Sequence, residues 1–86
     1  MSYKVFLSRQ ADRFYRKLLG DIRARVRDAL LTLENEPYAG KQLQGDLRRN
    51  YSLRVGKLRI IYYIVEKDKT VYVIAIGQRK AIYRQP

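Results

Sequence analysis

The sequence contains no cysteine and no histidine, and these two absences narrow the chemistry that it can perform. Without cysteine, the 86-residue chain has no disulfide framework and no thiolate metal site. Without histidine, it lacks both the usual zinc ligand and the usual general base. Its eight acidic residues never cluster along the chain, which argues against a carboxylate metal site or a pair of catalytic carboxylates. We therefore expect no metal and no cofactor, and any chemistry must use arginine, lysine, tyrosine, serine or isolated carboxylates.

The sequence also has no apolar run close to the roughly 20 residues that a membrane-spanning helix needs. Its first residues, Met1 to Val5, enter an alternating apolar pattern directly and do not resemble the apolar core and cleavage site of a secretory signal. We therefore expect a cytoplasmic protein with no membrane partner. A length of 86 residues predicts a single domain over 1–86, with room for one core and one site.

Acidic residues are scarce, whereas basic residues are abundant. Nineteen Lys and Arg against eight Asp and Glu give a formal charge of +11, and the excess is uneven. Residues 1–46 hold nine basic and six acidic side chains, whereas residues 47–86 hold ten basic and two acidic ones. Such a field favours association with nucleic acid or with an acidic protein, although a solvated basic surface would have the same composition.

Apolar periodicity predicts one strand and two helices in the first half of the chain. A short strand is expected over Tyr3–Leu7, and Ser8 is the expected N-cap of a helix over about Arg9–Leu19. Gly20 is expected to end this first helix. A second helix is expected from Asp21, its predicted cap, to about Glu36, because a proline follows and prevents continuation.

The second half of the chain predicts a loop and three strands. The loop covers Tyr38–Gly45, and the strands cover Leu47–Val55, Leu58–Glu66 and Thr70–Gln78, with a turn at Lys67–Lys69. The order β-α-α-β-β-β predicts an α+β fold in which two N-terminal helices pack on one face of a small antiparallel sheet and the other face stays open. The position of the first strand within this sheet is left undetermined.

The segment Tyr51–Tyr63, YSLRVGKLRIIYY, is the most informative part of the chain. Its two alternating strands meet at Gly56-Lys57, and a two-residue turn with glycine at positive φ places Arg54 directly opposite Arg59. Like charges opposite each other on one sheet face are destabilising by a few tenths to about 1 kcal/mol. A bound polyanion is the simplest reason for two such arginines, and a pair of solvated charges is the alternative.

The second turn decides which other side chains share the face of the two arginines. A turn that pairs Val65 with Val71 places Arg59 opposite a small residue, Gly77. Arg79 continues the same parity, so that three arginines would surround a shallow space that a ligand backbone can approach.

Other basic and aromatic residues have a functional and a structural interpretation. Tyr83 can fold back toward the three arginines, or it can pack the end of the chain against the sheet. The arginines of the helices occupy polar positions, and we interpret them as solvated. They are Arg9, Arg13, Arg16, Arg23, Arg25 and Arg27.

Three segments share a pattern with a known family. They are Pro37–Gly45 (PYAGKQLQG), Tyr51–Tyr62 (YSLRVGKLRIIY) and Ile76–Lys80 (IGQRK) with Tyr83. Together they resemble the RelE/ParE superfamily of toxins from type II toxin–antitoxin systems. The resemblance implies an α+β fold of the microbial RNase type. It also implies a toxin that is monomeric by itself and an acidic, partly disordered RelB-like antitoxin that covers its basic face.

Within this superfamily, RelE-like members cleave messenger RNA in the ribosomal A site, whereas ParE-like members inhibit DNA gyrase and lack the cleavage residues. This chain resembles the RelE-like members more closely, because it keeps their functional basic residues and their tyrosine. Ser52 is a departure, since the best-known RelE pattern has a lysine there, and Lys57 or Lys80 are candidates to compensate. The catalytic residues that the resemblance implies are Arg54, Arg59, Arg79 and Tyr83.

The chemistry open to these residues is attack by the 2′-hydroxyl of the RNA on the adjacent phosphate. Arginines stabilise the charge that develops on the phosphate, and they favour the phenolate of Tyr83, which lowers its pKa and makes it a candidate general base. A gyrase inhibitor without nuclease activity and a catalytically silent RNA-binding module remain alternatives. The basic residues expected to contact messenger or ribosomal RNA are Arg48, Arg49, Lys57 and Lys80.

Overall fold

The computed structural model describes residues 2–45 and 49–78. It confirms the predicted α+β fold, with two helices against one face of a sheet. Neither helix in these ranges is both long and apolar enough to span a membrane. The elements are β1 (Lys4–Leu7), α1 (Arg9–Lys17), α2 (Gly20–Asn35), β2 (Lys41–Gln42), β3 (Tyr51–Val55), β4 (Leu58–Val65) and β5 (Thr70–Gln78).

The sheet has five strands in the order β1-β5-β4-β3-β2 and is mixed, where the sequence predicted an antiparallel sheet. Strand β1 pairs with β5 in parallel, and the other three pairs are antiparallel. Two strands that are joined by a short turn must run antiparallel. Strands β1 and β5 are instead separated by most of the chain. No short turn therefore constrains the direction of β1, and the local sequence pattern does not predict that it pairs in parallel.

The link between the helices differs from the prediction at three points. Helix α1 ends at Lys17, and Gly20 does not terminate it but begins α2 with a φ of +63°. Asp21 lies in the first turn of α2 and does not cap it, because the cap position is taken by Leu19 without a side-chain hydrogen bond. The other cap is confirmed, since the Ser8 hydroxyl accepts a hydrogen bond from the backbone N–H of Ala11 at 3.1 Å.

The core lies between the helices and the sheet face that the alternation predicted. Along β4, Leu58, Ile60 and Tyr62 are buried on this face. Helix α2 covers them with Val26 and Leu33, which are fully buried and seven residues apart on one side of the helix.

The turn between β4 and β5 is one residue tighter than predicted. Val65 pairs with Thr70 and not with the following residue, because the short helical turn after β4 closes with Lys69 at a φ of +50°. A bulge at Ile74 then shifts the register by one position. As a result, Arg59 still faces Gly77, as predicted.

The strands near the hairpin also differ in extent from the prediction. Strand β3 begins at Tyr51, and Arg49 and Asn50 before it are not part of the strand; the predicted start, Leu47, lies outside the described residues. The predicted loop contains the two-residue edge strand β2, in which Lys41 pairs with Ser52 of β3. Two residues are too few to produce a recognisable alternation, which is why the sequence did not indicate this strand.

The sheet face away from the helices is less open than predicted. Ser52, Ile61 and Gly77 are buried on it. Further along this face, Tyr72 stacks between Phe6 and Tyr63, with ring centroids 5.9 Å and 5.3 Å apart. The tyrosines of this row pack against neighbouring strands, as cross-strand aromatic pairs commonly do.

Gly40 occupies a position that leaves no room for a side chain. Its backbone N–H donates a hydrogen bond to the hydroxyl of the fully buried Tyr62 at 2.9 Å. A Cβ atom at position 40 would lie 2.6 Å from that hydroxyl and 3.0 Å from the carbonyl oxygen of Ser52. The glycine thus allows the chain after α2 to approach the sheet, and burial raises the pKa of Tyr62.

The exposed carboxylate of Glu66 joins three distant parts of the chain. It accepts hydrogen bonds from the hydroxyls of Tyr3 and Tyr38 and from the ammonium of Lys69, the last at 3.2 Å. The hydrogen bond with Tyr38 lowers the pKa of Glu66 and raises the pKa of Tyr38 to about 12. This cluster anchors the N-terminal segment and the loop after α2 to the turn between β4 and β5.

We expect Gly40→Ala to lower the free energy of unfolding by about 1 to 3 kcal/mol, because the added methyl group overpacks the contact with Tyr62. Urea denaturation measures the change. In a Tyr62→Phe background, which removes the hydroxyl, the same substitution should cost less. An equal cost in both backgrounds would contradict this account of the contact.

We expect Glu66→Gln to lower the denaturation midpoint at neutral pH, and the difference from wild type to vanish in acid. Because the folded-state pKa of Glu66 is lowered, its stabilisation is complete above the unfolded pKa of about 4.3 and is lost as the pH falls through the lower folded value. Because the pKa of Tyr38 is raised to about 12, the stabilisation is also lost as the pH rises toward that value.

Denaturation curves across this pH range provide the measurement, and Asp68→Asn is the matched control because it removes one charge from the same turn. A constant difference between wild type and Glu66→Gln at all pH values would exclude this linkage.

Candidate functional site

Arg54 and Arg59 face each other across the β3–β4 hairpin, as predicted. Gly56 in the turn has a φ of +60°, and the register pairs Arg54 with Arg59 directly. Arg54 is exposed and Arg59 is half-buried, on the sheet face away from the helices. The Nε of Arg54 donates a hydrogen bond to the carbonyl oxygen of Gly56 at 3.3 Å, which ties this side chain to the turn.

The two guanidinium groups lack an acidic partner in the described part of the chain. Across residues 2–45 and 49–78, the ion pairs join Arg16 to Asp12, Arg27 to Asp28 and Lys69 to Glu66. None of them involves Arg54 or Arg59. Two neighbouring positive charges without a local counterion attract an anion, and their mutual repulsion is relieved when one binds.

Small residues lie beside the arginine pair on β5. Gly77 is opposite Arg59, and Ala75 is opposite Ile61 on the next row of the same face. Gly77 is buried, so the structure does not show the open space that was predicted beside the half-buried Arg59. This part of the predicted site is confirmed in its register.

The structure adds Arg25 of α2 to the surroundings of the hairpin turn. A Cβ atom built on Gly56 would lie 3.4 Å from Nη1 of Arg25 and 3.8 Å from Cδ1 of Ile22, one helical turn earlier. Sequence reasoning treated Arg25 as solvated. A helical pattern shows which residues share a side of the helix, but not which turn of the sheet that side meets.

Lys41 is a second cation that sequence reasoning missed. It lies on the edge strand β2 directly opposite Ser52, and therefore on the same sheet face as Arg54. Ser52 itself is buried, with 6% of its surface exposed. The exposed Lys41 thus brings an ammonium group beside the position where the resemblance led us to expect a lysine.

Of the four residues that were predicted to contact RNA, the structure describes Arg49 and Lys57. Lys57 is exposed in the hairpin turn next to the arginine pair, and Arg49 is exposed before the other end of β3. At about 3.3 Å per residue, Arg49 and Arg54 are separated by about 17 Å, so Arg49 belongs to a different part of the surface. Arg48, Arg79, Lys80 and Tyr83 lie outside the described residues.

The described residues hold no group of three or more histidine, cysteine or acidic side chains that could bind a metal ion. Arg25 approaches the hairpin turn from the helix side of the sheet. The positive side chains on the other face are Lys41, Arg54 and Arg59, and Lys57 lies in the adjoining turn. Such a set can hold a phosphate group and stabilise additional negative charge on it.

We expect Arg59→Gln to raise the free energy of unfolding by a few tenths to about 1 kcal/mol, because it removes the repulsion from Arg54 across the strands. Urea denaturation with and without a single-stranded RNA that carries 2′-O-methyl groups tests this. The variant should gain less stability from the RNA than wild type. Lys67→Gln, in the opposite turn, should behave like wild type, and equal stabilisation of both variants by RNA would contradict an anion site at this hairpin.

Comparison with known proteins gives consistent matches over most of the chain. A family model described as the ParE toxin of the type II toxin-antitoxin system parDE matches residues 5–83. Toxin RelG of Mycobacterium tuberculosis (strain ATCC 25618 / H37Rv) is 34% identical over 87 residues, which cover 99% of this chain and 100% of the relative.

Two solved structures resemble this chain in fold and are also more than 25% identical to it in sequence. The toxin in the RelBE2 toxin-antitoxin complex from Mycobacterium tuberculosis superposes with a TM-score of 0.82 at 31% identity, over 92% of this chain and 100% of that one. The archaeal RelE-RelB complex from Pyrococcus horikoshii OT3 matches with a TM-score of 0.75 at 27% identity, over 92% of this chain and 97% of that one.

Proposed function

The chain belongs to the RelE/ParE superfamily of toxins from type II toxin–antitoxin systems, and we propose that it is a metal-independent endoribonuclease that cleaves messenger RNA in the ribosomal A site and so inhibits translation. The observation that best supports this activity is the direct pairing of Arg54 with Arg59, with no acidic partner in the described ranges. Adjacent guanidinium groups suit a phosphate, because arginine donates paired hydrogen bonds to phosphate oxygens.

In the proposed reaction the 2′-hydroxyl of the messenger attacks the adjacent phosphorus. A bond forms from the 2′-oxygen to phosphorus while the bond to the 5′-oxygen breaks. The leaving 5′-oxygen takes a proton from water, so that one fragment ends in a cyclic phosphate and the other in a 5′-hydroxyl. Arg54 and Arg59 hold the phosphate, and Arg79 stabilises the transition state or the leaving oxygen. Tyr83 accepts the proton of the 2′-hydroxyl, because nearby guanidinium charges favour its phenolate. DNA lacks this hydroxyl and is spared.

The ribosome supplies what the isolated chain lacks in this proposal. Without histidine or metal, the catalytic set is weak unless the messenger is held in the geometry for in-line attack, which the A site can provide. Basic residues outside the arginine pair contact ribosomal RNA or the messenger. These are Arg48, Arg49, Lys57 and Lys80, and binding through them should weaken with salt.

In this proposal the chain forms a single domain over residues 1–86 and is monomeric by itself. It acts in the cytoplasm, where ribosomes are present. Its neutralising partner is an acidic, RelB-like antitoxin that folds onto the toxin and covers the basic face. The similarity to toxins that were solved with RelB antitoxins supports this partner.

The test is brief induction of the chain in bacteria followed by mapping of transcript 5′ ends. Wild type should create new 5′ ends within translated regions, and Arg59→Gln and Arg79→Ala should each lower their yield by about 10²- to 10³-fold, because each removes a charge that stabilises the transition state. Lys67→Gln is the control and should cut normally. An Arg79→Ala variant that still arrests growth and still cuts transcripts would refute the role of Arg79.

Inhibition of DNA gyrase is the second candidate function, and the match to the ParE toxin model favours keeping it. It predicts growth arrest without new transcript ends, together with loss of supercoiling activity when purified toxin is added to gyrase. A catalytically silent RNA-binding module predicts neither growth arrest nor cleavage.

A further inference from the structure

Three exposed cations follow one another along helix α1. Arg9, Arg13 and Lys17 are four residues apart, so they lie on one side of the helix. With a rise of 1.5 Å per residue, successive charges are about 6 Å apart along the axis. With Gln10 and Phe14 they line a shallow depression of about 410 Å³. We call Arg9, Arg13 and Lys17 the α1 cation row.

The α1 cation row has no acidic partner within residues 2–45 and 49–78, whereas Arg16 and Arg27 of the helices each have one. Arg16 of α1 pairs with Asp12 at 3.1 Å. Arg23 of α2 lies 4.9 Å from the centre of the Tyr15 ring and donates to backbone carbonyl oxygens of the first helix and its end. Like charges four residues apart destabilise a helix, so the row has no evident structural benefit.

Gln10, a neighbour of Arg9, ties helix α1 to the end of β5. Its Nε2 donates to the carbonyl oxygen of Ile76, and its Oε1 accepts from the N–H of Ile76, both at 3.1 Å. The side-chain amide thus makes the two hydrogen bonds that a neighbouring strand would make with Ile76. Ile76 precedes Gly77, the residue that pairs with Arg59. The row is therefore linked to the end of β5 near Gly77, but it lies on the helix side of the sheet, whereas the arginine pair lies on the other face.

The shape and chemistry of the depression favour a phosphate backbone over an acidic protein helix. A helix that binds in a groove needs several apolar anchor positions, and Phe14 is the one aromatic or aliphatic residue in this lining. A nucleic-acid duplex carries a phosphate every 3.4 Å along each strand, so every second phosphate lies about 7 Å from the last. This spacing is close to that of the cations.

We propose that the α1 cation row is a second RNA-contact surface, which binds the phosphate backbone of a folded RNA segment on the helix side of the sheet, opposite the arginine pair. The inference rests on the proposed function for its class of partner, but its test requires no cleavage. Arg54 and Arg59 hold the scissile phosphate from the sheet, while α1 contacts a second segment at the same end of the fold. The two surfaces together would orient the toxin on a structured RNA.

The test compares two triple variants that each lose three positive charges. Arg9→Gln/Arg13→Gln/Lys17→Gln removes the row, and Lys4→Gln/Arg27→Gln/Lys67→Gln is the matched control on other surfaces. Binding is measured over a series of salt concentrations to 70S ribosomes whose A-site messenger nucleotides carry 2′-O-methyl groups and cannot be cut. A short single-stranded RNA with the same modification is the second probe. Circular dichroism checks that both variants fold.

We expect the row variant to lose about tenfold or more in ribosome affinity near 0.1 M salt, and its plot of log affinity against log salt to flatten by about two to three, roughly 0.9 for each phosphate contact. The control should change the slope by less than about one. A greater loss on ribosomes than on the short RNA assigns the row to ribosomal RNA, whereas an equal loss assigns it to the messenger.

An unchanged slope in the row variant would overturn the inference. If that variant also escaped neutralisation by a co-expressed acidic antitoxin, the row would belong to a protein partner. Failure of the nuclease proposal has a separate signature: wild type would bind ribosomes in a row-dependent manner and cut no messenger.

Discussion

The two-residue turn at Gly56-Lys57 is the constraint on which both the core and the candidate site depend. It fixes the register of β3 against β4, and side chains on a strand alternate between the two faces of the sheet. The register that buries Leu58 and Ile60 against the helices therefore also places Arg54 beside Arg59 on the other face. A slip of one residue would bury charges and expose the core, so folding and function select the same register.

Electrostatic strain is concentrated at the end of the sheet near this hairpin. Arg54 and Arg59 repel each other across the strands, Arg25 reaches the turn from α2, and Lys41 adds a charge from the edge strand. At the opposite end of β4, Glu66 joins two tyrosines and a lysine into a closed hydrogen-bonded cluster. Within residues 2–45 and 49–78, the Glu66 carboxylate is thus paired with a cation, whereas the arginine pair, where an anionic partner is proposed to bind, has no acidic partner.

Sequence reasoning predicted the hairpin well because a turn, a glycine and two alternating strands are all local. It failed where the outcome depends on distant parts of the chain. The bulge at Ile74 and the tight turn at Lys69 compensate each other, and only their combination places Gly77 opposite Arg59. Likewise, the two-residue strand at Lys41 exists because β3 is there to pair with it, so its own sequence gave no signal.

By itself, the sequence determined the α+β class, the positions of both helices, the hairpin register and the strong positive charge, because each follows from local periodicity, turn chemistry or composition. Only the tertiary structure decided that β1 pairs in parallel with β5, that Arg25 reaches the hairpin turn and that Gln10 pairs α1 with the end of β5. These contacts join residues far apart in the chain, and they form because packing the shared core brings their elements together.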